Sequence, residues 1–247
     1  PRIMPVNLDE LEHLLFSKIY RMTLSRMPKI ALVAPYEEQA VDPNMIALFA
    51  ELGRQIPPIE REDSYRLVSL VLQYEGYDSA RIRLTEEEPI PEGTDTLVIL
   101  EPTHVTEAQR YSIDQFLVTG GSVFLAVQNY KFDYAPSPQG DLEVIPTAIS
   151  PEINPLLAPW GLGVDEQFLL DEHQEVLNVS GAARLGPFDI SVPVKLPIHI
   201  RIDPEGMNSD LALSSRLNPI LYLWGSALSV DEAKLKTLVD EQLAEAK

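Results

Sequence analysis

The residues of this chain that could do chemistry are few and scattered. There is no cysteine, which excludes thiolate nucleophiles, disulfides, cysteine-ligated zinc and iron–sulfur clusters. The imidazoles are His13, His104, His173 and His199, and no His-Glu-x-x-His occurs. His104 precedes Glu107 near a helix start, and Asp171, Glu172 and His173 are contiguous. Such pairs and triplets lack the further ligand a metal needs, so no metal is expected. Dinucleotide binding would place Gly-x-Gly-x-x-Gly after the first strand, where Pro35-Tyr36-Glu37-Glu38 stands instead. There is neither a P-loop nor a Gly-x-Ser-x-Gly nucleophile elbow. With no nucleophile beside a base, neither an enzyme nor a cofactor is expected. What remains is polar residues in three loops, Pro35 to Glu37, Glu101 to His104 and Gln128 to Lys131. Loops after parallel strands are where α/β sheets meet ligands. Tyr36, Thr103, His104, Gln128, Asn129 and Tyr130 are therefore the candidate ligand-binding residues.

The elements that must hold those loops centre on Asp95 to Gln128. Leu97 to Leu100 is an unbroken apolar run, the mark of a strand covered on both faces. Thr106 and Gln109 have capping-box spacing and predict a helix start, with Ile113, Phe116 and Leu117 on its inner face. Gly120-Gly121 ends the helix, and Val123 to Val127 reads as a second buried strand. Two such strands joined by a helix form a right-handed parallel unit.

Upstream, Leu8, Leu11, Leu15, Ile19 and Met22 form an apolar stripe behind a start at Asn7 and Glu10. With Asp9, Glu10 and Glu12 opposite, the stripe predicts a helix packed on the sheet rather than on anionic lipid. Ile30 to Ala34 reads as a buried strand. Helices are expected over Met45 to Leu52, ended near Gly53, and over Arg61 to Glu75, with Leu67, Val68, Val71 and Leu72 inward. Pro57-Pro58 breaks the chain between them. Ser79 to Leu84 suits a strand nearer the sheet edge.

From Tyr130 the prolines predict a loop-rich stretch, with a short helix at Ile153 to Leu157 and a strand at Val164 to Leu170. Phe188 to Asp203 alternates apolar and polar without a break, His199 on the polar side. That is a half-buried ribbon, and Pro193 and Pro197 assign it to an edge or split it near Pro197. Leu211 to Leu213 and Ile220 to Trp224 are further strand candidates. Ser229 and Glu232 suggest a capping box for a last helix carrying Leu235, Leu238, Val239 and Leu243. The segments are thus 1–28, a helix packing on the core; 29–135, the α/β core; 136–228, a loop- and β-rich second part of the same domain; and 229–247, a terminal helix.

The 247 residues carry 19 Lys+Arg against 38 Asp+Glu, a formal charge of −19. That surface repels phosphate backbones, so no nucleic-acid partner is expected. No apolar run approaches the ~20 residues a membrane helix needs. The first residue is Pro1 rather than Met, consistent with a processed or excised piece.

The order of features from Leu72 to Val127 resembles the auxiliary-domain family of gliding-motility-associated ABC transport systems. The matching positions are Ile90, Pro91, Asp95, Leu97, Val98, Ile99, Pro102, Gln109, Ile113, Asp114, Phe116, Leu117, Gly120 and Gly121. Ile153 to Asp171 is similar to a second family segment, and Leu217 to Leu228 to its closing strand region. The resemblance implies a membrane-anchored parent protein and a domain on the outer, periplasmic side of a bacterial inner membrane. It also implies an ABC permease and a separate ATPase subunit as partners. It carries over no catalytic residue. A related domain occurs in an intraflagellar-transport subunit, and the sheet also resembles glutamine-amidotransferase-like folds, whose nucleophilic cysteine is missing here.

The expected fold is α/β, flavodoxin-like or glutamine-amidotransferase-like. It has a doubly wound, mainly parallel sheet, helices on both faces, and a β-rich C-terminal extension. The expected function is a non-catalytic protein-interaction or assembly module, with the ribbon at Phe188 to Ile202 as an edge for a partner strand. The alternative is a solute- or glycan-binding domain using the loops named above.

Overall fold

The computed structural model describes residues 11–38, 61–136, 142–185, 188–211, 214–215 and 217–245. The helix start at Asn7 and Glu10, the helix over Met45 to Leu52, Pro57-Pro58 and most of Leu211 to Leu213 lie outside them. The chain forms two compact units, Pro1–Pro102 with Glu107–Ala126, and Thr103–Thr106 with Val127–Lys247.

In the first unit the order is α1 (Leu11–Thr23), β1 (Lys29–Val33), β2 (Glu37–Glu38), β3 (Arg61–Glu62), α2 (Arg66–Tyr74), β4 (Asp78–Arg81), β5 (Thr96–Leu100), α3 (Glu107–Val118) and β6 (Ser122–Ala126). Four strands make a parallel sheet in the order β4-β1-β5-β6. Ile30 stands opposite Ser79 on one side and Thr96 on the other, and Thr96 opposite Ser122. Ala31, Leu32, Leu97, Ile99 and, from α3, Ile113 form the core. Asp95 clips the strand starts together. Its carboxylate accepts from the Lys29 amide at 2.8 Å and holds Arg26 through two bonds, while its own amide donates to the Lys29 carbonyl. Gly120 takes φ +95 to end α3. A Cβ on Gly121 would lie 2.4 Å from the Phe116 ring, so that position is held to glycine by contact.

Several expectations about covered faces are corrected. β6 is an edge strand with Phe124 exposed, not a strand buried on both faces. The predicted helix from Arg61 begins at Arg66 instead, and residues 61–62 form β3. Leu67 and Val71 point outward, while Val68 and Leu72 are half-buried. The α1 stripe is open as well, with Leu15, Ile19 and Met22 exposed. Arg21 on α1 forms an ion pair at 2.6 Å with Glu75, the residue after α2.

The second unit is antiparallel. It contains β7 (Tyr130–Pro136), β8 (Leu142–Ala148), α4 (Asn154–Leu157), a 3-10 turn (Ala158–Trp160), β9 (Leu162–Phe168), β10 (Gln174–Leu185), β11 (Phe188–Ile202), β12 (Ile220–Leu223), β13 (Ser226–Val230) and α5 (Glu232–Glu245). The pairings are β7 with β8, β9 with β13, and the three-stranded order β10-β11-β12. The stretch read as loop-rich is thus a hairpin that contains Pro136 and Pro146. Both strands of a two-stranded ribbon are edges, where proline is tolerated.

β11 is not an edge. It lies between β10 and β12, although β12 pairs only with its last turn of sequence, His199 to Ile202. Near Pro197 the strand stays continuous but its pairing slips: Val176 faces Lys195, whereas Gln174 faces Ile200. The side-chain phase shifts with it, so that Ile198, His199 and Ile200 are all buried. The cap of α5 is Asp231, whose carboxylate accepts from the Lys234 amide at 3.0 Å. Ser229 lies inside β13, opposite Gly163.

Candidate functional site

At the carboxyl end of the parallel sheet, β1 leads to β4 on one side while β5 leads to β6 on the other, which is the switch point where α/β sheets bind ligands. Tyr36 lies there, its ring 4.0 Å beneath the Arg81 guanidinium. Arg81 comes from the end of β4. It donates to the carbonyls of Ala34 and Pro35 at 2.9 and 2.8 Å and pairs with Asp63. Its fork therefore closes the loop after β1, and only Nε, buried, makes no hydrogen bond. Beside it Glu101 ends β5 with φ +46, a left-handed conformation that costs a non-glycine residue roughly 1–2 kcal/mol. Tyr65 donates to its carboxylate at 2.5 Å. Arg81, Asp63, Tyr65 and Glu101 were not among the sequence candidates; their polarity alone does not mark them, because strand ends in any α/β protein carry such residues.

The other candidates belong to the second unit. Thr103 and His104 are exposed, and His104 Nδ1 approaches Glu152 Oε1 at 3.9 Å. Gln128 is half-buried. Asn129 and Tyr130 line a cleft of about 370 Å3 together with Glu152, Asn154 and Glu166. Two of its amides are fastened. Asn129 donates to the Asp165 carbonyl at 2.7 Å, and Asn154 both donates to and accepts from the Val164 backbone. Glu152, on the rim, also has positive φ, +52. The structure thus brings Asn129 and Tyr130 together, places His104 beside the rim residue Glu152, and puts Tyr36 in the other unit.

Sequence reasoning missed a cluster behind this cleft. Tyr130, Phe132 and Tyr134 alternate along β7. Phe132 packs edge-on to Phe168 and stacks on Trp224 with centroids 6.4 Å apart. Tyr134 ends the row: its hydroxyl lies 2.7 Å from His199 Nε2 and accepts from Trp224 Nε1 at 3.1 Å. His199 is 0 % exposed. Burial pushes its pKa down from the ordinary imidazole value, with the Val194 backbone pulling weakly the other way. Burial likewise pushes the Tyr134 hydroxyl up, against the effect of the Trp224 bond. Both groups are neutral at pH 7. The period-2 aromatics of Tyr130 to Tyr134 were the available signal. Among the described residues no group of three or more His, Asp or Glu is placed to hold a metal, and no helix is long and apolar enough to cross a membrane.

The family described as "ABC-type uncharacterized transport system", an ABC-transport auxiliary family, matches residues 28–239. The chain belongs to this family. No curated protein and no solved structure matches it. The match spans both units of the auxiliary protein. Several residues that carry the resemblance are structural: Leu97, Ile99, Ile113, Ile153 and Leu156 are core, and Asp95 and Asn154 are clips. These residues build the two units and tie their strands and turns together.

Proposed function

We propose that the protein is the non-catalytic, extracytoplasmic domain of a membrane-anchored auxiliary component of an ABC transport system. In this reading it is an assembly module that docks on the permease and works beside the ATPase, in systems of the gliding-motility type. One observation carries the interaction role. On α2, Leu67, Leu70, Val71 and Tyr74 recur at i, i+3, i+4 and i+7 and are 72 %, 47 %, 58 % and 77 % exposed. A stripe of that period is the face a helix normally buries, and left open it marks a site for a partner. Leu15, Phe16, Ile19 and Tyr20 of α1, whose Arg21 pairs with Glu75 just after α2, extend the apolar surface of the same unit. The strand order places the second strand of the sheet beside the first, then the third and fourth, as in flavodoxin-like sheets. With right-handed crossovers, the rule for such units, α2 and α3 cover opposite faces; this doubly wound form is part of the proposal.

The absence of native cysteine makes the test direct. A photocrosslinker on Leu67→Cys or Tyr74→Cys, in membranes containing the whole transport system, is expected to capture the permease. The same reagent on Lys131→Cys in the second unit serves as control. Equal labelling of permease from all three positions, or none from any, refutes the α2 docking surface.

The cleft at Asn129 and Tyr130 favours a second reading, a site for a solute or glycan. A sugar or peptide that occupies it is expected to raise the melting temperature by mass action. A ligand screen without any shift removes this alternative.

A further inference from the structure

A cleft of about 690 Å3 opens in the second unit where β11 meets β12, a volume typical of ligand sites. Ile200, which pairs with Tyr222, and Ile202 lie along it. Leu169 and Leu170, just after β9, are 39 % and 58 % exposed and bring further apolar surface. Its polar side chains include Asp171, His173, Arg201, Asp203 and Glu205. Arg201 is already paired with two carboxylates: Nε donates to Asp203 at 2.9 Å and Nη1 to Glu175 at 2.8 Å. Asp171 accepts from the His173 amide at 2.7 Å, which holds its carboxyl below the ordinary range and anionic at neutral pH. Three carboxylates, Asp171, Asp203 and Glu205, thus line a cleft with an apolar floor, and its one guanidinium is paired with Asp203 and with Glu175 from outside the lining.

We propose that this cleft binds a short segment of a partner protein in which apolar side chains are flanked by lysine or arginine. An apolar floor with an acidic margin is complementary to such a segment in both respects: the floor supplies burial, and the margin supplies steering and selects the sign of charge. An acidic partner is rejected by the same carboxylates and by the field of a chain carrying −19. A polycation without apolar side chains leaves the floor wet and gains only screened surface attraction. The inference rests on the reading of the protein as an interaction module in that its occupant is a protein. It concerns a different surface from α2, and the two are tested separately.

The experiment is fluorescence anisotropy on the isolated chain at 0.15 M salt. The probes are labelled Lys-Leu-Leu-Lys-Phe-Lys, its glutamate counterpart Glu-Leu-Leu-Glu-Phe-Glu, and the polar cation Lys-Ser-Ser-Lys-Ser-Lys. Saturable binding of the first is expected, with the other two weaker by about tenfold or more. Leu170→Ser leaves the charge unchanged and is expected to weaken the first peptide about 5-fold. Glu205→Lys, on an exposed turn, is expected to weaken it by a similar factor, more so at low salt. Unchanged tryptophan emission establishes that each variant is folded; should either fail to fold, the other variant and the three peptides still decide. Equal binding of the polar cation, or affinity unchanged in both variants, overturns the proposal. Loss of permease crosslinking at α2 with peptide binding intact would fault the assembly reading alone.

Discussion

Protonation of His199 offers a sharp test of how the second unit is held together. The imidazole is fully enclosed, spends Nε2 on the Tyr134 hydroxyl, and has its pKa lowered by burial. In the unfolded chain the same group titrates near 6.5. Above that pH both states are neutral and His199 adds no pH dependence. As pH falls below it, the unfolded chain takes up a proton that the folded unit refuses, so stability declines until the folded pKa is reached. One proton limits the slope to about 1.4 kcal/mol per pH unit, and the loss from pH 6.5 to 5.0 to about 2 kcal/mol. The window lies above the ordinary carboxylate range, which keeps acid titration of Asp and Glu largely out of it. The assay is urea unfolding followed by tryptophan emission. The chain has 2 tryptophans, and Trp160 and Trp224 both belong to the second unit, so the signal reports that unit. His199→Gln cannot titrate. It is expected to cost about 1–3 kcal/mol at pH 7.5, through the altered bond to Tyr134 and the disturbed packing, and to lack the wild-type decline between pH 6.5 and 5.0. Stability curves for wild type and variant that stay parallel from pH 7.5 to 5.0 would refute the reasoning, since a buried neutral imidazole cannot leave that range flat.

Two further outcomes test the clips. Arg81→Ala removes the fork that binds Ala34, Pro35 and Asp63 and leaves a half-buried carboxylate with its bond from the Tyr65 amide but without its cationic partner. It is expected to destabilise the first unit by about 3 kcal/mol, seen as faster amide exchange along β1; protection equal to wild type argues that the network is not structural. Asp231→Ala is expected to cost the second unit about 1 kcal/mol through loss of the α5 cap, whereas Ser229→Ala leaves the helix end intact. Tryptophan-detected unfolding that ranks the two in the opposite order would restore Ser229 as the cap.

The parallel half of the fold was legible because its determinants are local. Ile30 to Val33 and Thr96 to Leu100 announce themselves as strands by unbroken apolar runs, and Gly120 marks the end of α3. Three things were not legible, each for a physical reason. Periodicity shows that α1 and α2 have apolar stripes but does not say what, if anything, covers them. Pro136 and Pro146 suggest loops when counted, yet a two-stranded ribbon accepts them at its edges. In β11 the alternation assigns His199 to the polar face, and only the pairing slip near Pro197 moves it inside. Proline in a strand that must pair on both sides is the one sequence cue that a ladder has to break there.

The end of β11 connects the fold to the surfaces proposed for partners. Burial of His199 faces β11 inward on Tyr134 and Trp224, while Arg201, two residues on, is exposed and drawn into pairs with Asp203 and Glu175. Pairing with β12 is regular from His199 to Ile202, so His199 and Arg201 share one face of the strand, the first buried and the second exposed. The Arg201 backbone amide meanwhile donates to the His173 carbonyl at 2.8 Å and fixes the segment carrying Asp171. The last residues of β11 therefore carry both the enclosed imidazole and, two positions on, the guanidinium and amide that tie the cleft's acidic margin. A substitution that loosens His199 should be felt first in the cleft, through β11, before the second unit unfolds as a whole. Peptide affinity in His199→Gln at pH 7.5 is expected to fall under conditions where tryptophan emission still reports a folded unit. Affinity equal to wild type would mean that core and cleft are independent.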